Sequence, residues 1–147
     1  MKNISSTQKS YIAGFLDGDG SIYVRLKPNE DYRYGFQVAP YIVFFQSNKE
    51  RKNFEKICNL IELGYIRERK DKILEYTIGR EDNIKIILSA IEPYLLLKKQ
   101  QANLMLKILD KKSKVKNKED FSALMCLIDR FRELNYSKKR KLHTLTP

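Results

Sequence analysis

The sequence predicts an α+β domain in which helices cover one face of a four-stranded antiparallel sheet. Two observations carry this. Four stretches are extended in pattern and fall in two pairs. The remaining segments place apolar residues at i, i+3, i+4 and i+7, the spacing of one helix face. The order along the chain is α-ββ-α-ββ-α-α-α, and strands and helices grouped this way pack as separate layers. The core is α-ββ-α-ββ-α with extra C-terminal helices, one domain over residues 1–135, followed by a basic tail over 136–147.

The first helix starts at Ser5, Ser6 or Thr7, any of which can cap it. It runs through Tyr11, Ile12, Ala13, Gly14, Phe15 and Leu16 and ends in Asp17-Gly18-Asp19-Gly20, where two glycines interrupt it. Ser21 to Lys27 alternates strictly, with Ile22, Val24 and Leu26 on one side and Tyr23, Arg25 and Lys27 on the other. Pro28-Asn29-Glu30-Asp31 reads as a turn. A second extended stretch runs from Tyr32 to Gln46, with Pro40 marking an edge or a bulge. Phe54, Ile57, Cys58 and Ile61 define the next helix, and Gly64 closes that region. Tyr65 to Arg69 and Ile73 to Ile78 form a hairpin around Lys70-Asp71-Lys72. Ile84, Ile87, Leu88 and Ile91 mark a helix that stops at Pro93. Ala102, Met105, Leu106 and Leu109 mark another, and Phe121, Leu124, Met125 and Ile128 the last, with Asp120 near its start.

Composition narrows the function. The 147 residues include 29 Lys+Arg against 18 Asp+Glu, a net +11, which points to a polyanionic partner, most often nucleic acid. No stretch approaches the roughly 20 apolar residues of a membrane span. The polar start of the chain lacks a signal peptide's apolar centre, so an intracellular protein is expected, cytoplasmic or inside an organelle and not secreted. Cys58 and Cys126 both lie in apolar helical patterns, which argues against a disulfide framework or a zinc site. The charge is concentrated. Residues 97–118 carry +7, eight lysines against Asp110, and the tail adds Lys138, Lys139, Arg140 and Lys141.

With helices on one face, the other sheet face is left to solvent or a ligand. It carries Tyr23, Arg25, Lys27, Gln37, Arg67, Arg69, Glu75 and Thr77, with Arg33 on the approach to Gln37. Arginine suits guanine, glutamine adenine and glutamate cytosine in the major groove. The same set is also an ordinary polar outer face.

The segment Ile12 to Ile22 admits three readings. An EF-hand loop starting at Asp17 needs glycine at its sixth position and glutamate at its twelfth, but Ile22 and Pro28 stand there. A plain helix end is a poor place for two carboxylates, because the helix dipole disfavours them there. The third reading makes them ligands for a hard divalent cation. Ala13 and Gly14 are small enough to admit a second helix.

This segment resembles the motif of the LAGLIDADG homing endonucleases. Ala13, Gly14, Asp17, Asp19 and Gly20 match identically, and Ile12, Phe15 and Leu16 are apolar replacements. The resemblance extends to Lys27-Pro28-Asn29, Gln46, Gly64 to Arg69, Pro93-Tyr94-Leu95, Lys98 to Leu104 and Ser137-Lys138, as in the compact single-motif members.

The resemblance implies a saddle-shaped sheet and a homodimer whose motif helices pair through Ile12, Ala13, Gly14 and Phe15. Two copies would carry a formal +22 and span a long pseudo-palindromic site in double-stranded DNA. By the same analogy Asp19, with the Gly18 carbonyl, coordinates Mg²⁺; Mn²⁺ would substitute and Ca²⁺ would bind without supporting cleavage. Gln46, Arg51 and Lys98 match the outer ring of the active site, although Arg51 lies one residue farther from Gln46 than in similar members. Asp17 matches a structural position, and His143 has no catalytic role. Lys114, Lys116, Ser137, Lys138, Lys139, Arg140 and Lys141 would hold phosphates. The implied activity is site-specific double-strand cleavage leaving short 3′ overhangs, in the service of intron mobility, with no membrane and no small-molecule substrate. The alternative is an RNA maturase or DNA-binding regulator that kept the fold without cleavage.

Overall fold

The computed structural model describes Met1 and residues 3–135. Its elements are α1 (Ser6–Asp19), β1 (Gly20–Pro28), β2 (Phe36–Ser47), α2 (Arg51–Ile61), β3 (Tyr65–Glu68), β4 (Ile73–Ile78), α3 (Glu81–Ile91), α4 (Lys99–Ser113) and α5 (Lys118–Glu133). Short 3-10 turns lie at Asn48–Glu50 and Glu92–Tyr94. This is the expected order. The strands form one antiparallel sheet in the order β1-β2-β4-β3. No described helix is long and apolar enough to cross a membrane.

Ile22, Val24, Val38, Ile42, Phe44, Leu74, Tyr76 and Ile78 line the inner sheet face and are buried against the helices. All four apolar positions expected on α3 are fully buried. On α4 the buried apolar set is Ala102, Met105, Ile108 and Leu109, so Ile108 takes the place expected for Leu106. Cys58 is in the core, where burial pushes its thiol up to about 12, whereas Cys126 is exposed.

Three boundaries differ from expectation. β1 continues through Pro28, the connection occupies residues 29–35, and β2 begins only at Phe36. Tyr32 to Gly35 have strand composition, but they fold back through Asn29 N–H to Gly35 O (2.9 Å), and Tyr34 stacks on Phe121 of α5 at 4.8 Å. β3 stops at Glu68, which leaves Arg69 in the hairpin turn. Pro40 makes no bulge, since the β1–β2 register is continuous. It falls where β2 has only β1 beside it, as β4 reaches no farther than Ile42.

α1 is fixed at both ends. Ser5 is its cap: Ser5 Oγ accepts from Gln8 N–H (3.2 Å), and Gln8 Oε1 accepts from Ser5 N–H (2.9 Å). At the other end the chain passes from helix to strand with no loop. A Cβ at Gly20 would lie 2.4 Å from Leu16 Cδ1 and 2.9 Å from Leu16 backbone atoms, so only glycine fits that corner.

The Asp17 carboxylate then ties this corner to α4. Its Oδ2 accepts from Leu96 N–H (2.8 Å) and Leu97 N–H (3.2 Å), and its Oδ1 from Lys98 N–H (2.9 Å). Lys98 is the N-cap residue of α4 and supplies no side-chain cap of its own. Asp17 instead accepts from the three successive amides that lead into α4, the last of them the N-cap's own, and places a negative charge where the α4 dipole favours it. We predict that Asp17→Ala lowers the unfolding free energy by about 2 kcal/mol in urea melts. A loss under about 0.5 kcal/mol would contradict this tethering role.

Candidate active site and nucleic-acid interface

The two aspartates at the end of α1 have opposite surroundings. Asp17 is half-buried and consumed by three backbone donors. Asp19, the last residue of the helix, is exposed and makes no hydrogen bond or ion pair among the described residues. The Lys98 ammonium donates to the Asp17 carbonyl at 2.8 Å. Burial pulls its pKa below the ordinary lysine value, and the charges of Asp17 and Asp19 oppose that pull. Lys98 is therefore a fixed, partly desolvated cation in the field of Asp19.

Gln46 stands at the same end of the sheet. Gly20 pairs with Phe44, and Gln46 lies two residues beyond that partner, half-buried, with Oε1 accepting from Ser47 N–H at 2.8 Å. Arg51 behaves differently. It opens α2 and is engaged by Glu68 (2.9 Å) and Glu55 (3.4 Å), the Glu68 hydrogen bond raising its pKa. No hydrogen bond or ion pair joins it to Asp19, Gln46 or Lys98. Nothing in the sequence pattern marks Glu68 as its partner.

Among the described residues no cluster of three or more His, Cys, Asp or Glu side chains could hold a metal ion. The donors nonetheless suit Mg²⁺ in its usual mode, in which one or two carboxylates act with substrate phosphates. Asp19 offers a free carboxylate at the negative end of a helix dipole, with the exposed Gly18 beside it. Both Asp17 oxygens are already engaged by backbone donors.

The outer face of the sheet carries the expected side chains. In register, Tyr23 faces Tyr41, Arg25 faces Ala39 and Lys27 faces Gln37. Thr77 lies between Val43 and Tyr65, and Glu75 lies between Phe45 and Arg67. Glu75 is only 16% exposed and holds two arginines, Arg67 at 3.0 Å and Arg69 at 3.6 Å; Asp71 also holds Arg69, at 2.7 Å. Both guanidiniums are thus positioned in advance. Tyr41 and Tyr65 were absent from the sequence-based set, although Tyr41 follows from strand parity with Gln37. Arg33 is not on the sheet: it sits in the 29–35 connection, with its guanidinium 5.7 Å from the Tyr34 ring.

Of the phosphate-binding candidates, Lys114 and Lys116 are exposed where α4 ends and α5 begins; Lys114 is paired with Asp110 at 3.2 Å. Lys107, Lys111 and Lys114 line a cavity of about 350 Å³ between those helices, together with Asp120. Ser137, Lys138, Lys139, Arg140 and Lys141 lie outside the described residues, as does His143.

The residues expected at a dimer contact need correction. Ile12 and Ala13 are fully buried in this chain's own core, and Phe15 packs on Phe44 (5.6 Å) and Phe54 (6.1 Å). Ile12 and Ala13 share the buried helix face of Leu16. Only Gly14 of the four is exposed, in a stripe with Thr7, Tyr11 and Gly18 at helical spacing. A Cβ at Gly14 or Gly18 would meet nothing within 4 Å. Leu96 and Leu97, held by Asp17, are 85% and 72% exposed.

Comparison with known proteins places these features in a family. The model of the LAGLIDADG endonucleases matches residues 12–108. The DNA endonuclease I-CreI of Chlamydomonas reinhardtii is 35% identical over 132 residues, covering 89% of this chain and 80% of that protein. The DNA endonuclease I-CvuI of Chlorella vulgaris is 32% identical over 136 residues, covering 90% and 83%. A crystal structure of I-CvuI in complex with the I-CreI target and Mg superposes with a TM-score of 0.84 at 30% identity, covering 92% of this chain and 86% of that one. Another shows I-CvuI with its own target and Ca, again at a TM-score of 0.84. With its single motif at the end of α1 and its four-stranded sheet, this chain belongs to the LAGLIDADG homing endonuclease family.

Proposed function

We propose that this chain is a homodimeric, Mg²⁺-dependent endonuclease that makes a double-strand break at a long pseudo-palindromic DNA site and leaves short 3′ overhangs. The carrying observation is the division between the two motif aspartates: Asp17 is spent on structure, while Asp19 is left exposed and unpaired beside the Lys98 ammonium. The similarity to I-CvuI, crystallised with DNA in the presence of Mg or Ca, supports a duplex partner and a divalent metal.

Each residue has a task in this reading. Asp19 would hold the metal, with the Gly18 carbonyl as a further oxygen. Mn²⁺ would substitute there, and Ca²⁺ would bind without supporting cleavage. A divalent ion so held supplies Lewis acidity that activates water and stabilises the leaving oxygen. Gln46 orients the attacking water through its amide. Lys98, already charged and partly desolvated, offsets negative charge that builds on the phosphate. Arg51 joins this ring only on leaving Glu68. Arg67, Arg69, Glu75, Thr77, Arg25, Lys27 and Gln37 read base edges from the sheet face, and Lys114, Lys116 and the basic tail hold backbone phosphates.

Two copies pair through the exposed stripe of α1, where Gly14 and Gly18 let helix backbones approach. Leu96 and Leu97 extend the contact. This pairing brings both Asp19 residues to the centre of one site.

Three outcomes are expected. Asp19→Asn abolishes cleavage of a selected target and keeps DNA affinity within about tenfold; loss of binding would make Asp19 structural instead. Affinity falls by roughly three orders of magnitude between about 50 and 200 mM salt, whereas a shallow slope would contradict the phosphate assignment. Gly14→Leu leaves the monomer folded, since nothing crowds that position, but converts a 34.8 kDa species (2 × 17.4 kDa) to 17.4 kDa in sedimentation. A variant that stays dimeric would place the interface elsewhere. Tight RNA binding with no duplex cleavage would instead favour a maturase.

A further inference from the structure

The sheet face holds its arginines in two ways. Arg67 and Arg69 are anchored by carboxylates. Arg25 has no carboxylate partner among the described residues. Tyr23 and Tyr41, directly opposite each other, stack with centroids 5.1 Å apart and planes at 23°. The Arg25 guanidinium lies 5.6 Å from the Tyr23 ring and 5.8 Å from the Tyr41 ring. Its cross-strand neighbour is Ala39, which leaves the long side chain room. Ring contact fixes the guanidinium while sparing its five N–H donors, whereas a carboxylate occupies some of them.

Tyr41 has a second engagement. The Lys27 ammonium donates to Tyr41 Oη at 2.7 Å and lies 5.4 Å from the ring centroid. An ammonium is donor only, so this contact uses a lone pair of Tyr41 and leaves the hydroxyl hydrogen to be given away. The stack is well seated. Ala39 and Val43 are on the outer face yet 7% and 3% exposed, and only side chains of that face can cover them. Burial pushes the Tyr23 hydroxyl above its ordinary pKa, so the ring remains neutral.

We infer that Tyr41, stacked on Tyr23, is a specificity-determining residue: the pair positions Arg25 as a guanine reader, and the Tyr41 hydroxyl donates to an acceptor on an adjacent base edge. In the major groove such acceptors are purine N7, guanine O6 and thymine O4. The stack thus joins Tyr23, Arg25, Lys27 and Tyr41 into one reading unit. Removing the aromatic floor loosens a contact it does not itself make.

This inference rests on the endonuclease reading, and one experiment separates the two. A library of randomised duplexes is cut by the parent chain with Mg²⁺, and base preference is read at each position. The profile of Arg25→Ala identifies the pair that Arg25 reads. Tyr41→Thr and Tyr23→Thr, which keep strand-favouring side chains, should each lower preference at that same pair by about tenfold. Combining either with Arg25→Ala should lose nothing more at that pair. Tyr41→Phe, a loss of one oxygen, should keep the Arg25 preference and lose about tenfold at a neighbouring pair. Threonine variants with the parental profile, or a Tyr41→Phe profile unchanged at every pair, would overturn the inference alone. A parent that selects no sequence would overturn the endonuclease reading before any variant is compared.

Discussion

The arrangement depends on one carboxylate. Asp17 accepts hydrogen bonds from the backbone of Leu96, Leu97 and Lys98, and those three contacts set where α1 ends relative to where α4 begins. Three features follow from that single tie. It carries Lys98 to the motif and gives its ammonium the Asp17 carbonyl to hold. It presents Leu96 and Leu97 outward beside the open stripe of α1. It also leaves Asp19, two residues on at the last helical position, with no hydrogen-bond or ion-pair partner among the described residues. Two aspartates in one short motif thus have opposite surroundings: one meets three backbone amides and the other meets solvent.

Charge is divided with comparable economy. In the proposed reading, the long-range attraction for a polyanion comes from the lysines around the α4–α5 junction and in the tail. The sheet face uses its charges in pairs and stacks that define direction. Glu75 and Asp71 orient Arg67 and Arg69, and the Tyr23–Tyr41 stack orients Arg25. An arginine with a fixed fork discriminates a base edge better than a freely moving one, since less rotamer freedom is lost on contact. In the proposed reading, affinity and sequence preference reside on different parts of the chain.

Much of this was legible in the sequence where periodicity is complete. Ile84, Ile87, Leu88 and Ile91 have only one helical solution, and Ile22, Val24 and Leu26 only one strand parity; both are as expected. The motif residues could be recognised, but their partners could not. Asp17 meets residues 79 to 81 positions away, and no local pattern reports such a contact. Composition misled at Tyr32 to Gly35, where aromatic residues suited to a strand serve to pin a loop on Phe121. Small size misled at Ala13, which resembles a helix-contact residue yet faces the chain's own core one position before Gly14. The engagement of Arg51 by Glu68 crosses from one element to another and leaves no trace in spacing.

The central claim is that Asp17 is structural and Asp19 carries the metal. The most direct measurement is an anomalous difference map of the chain crystallised with its DNA target and Mn²⁺. The account predicts a peak within coordination distance of the Asp19 carboxylate and a DNA phosphate, with Asp17 still bonded to the Leu96–Lys98 backbone. A peak on Asp17, with those backbone bonds broken, would contradict it.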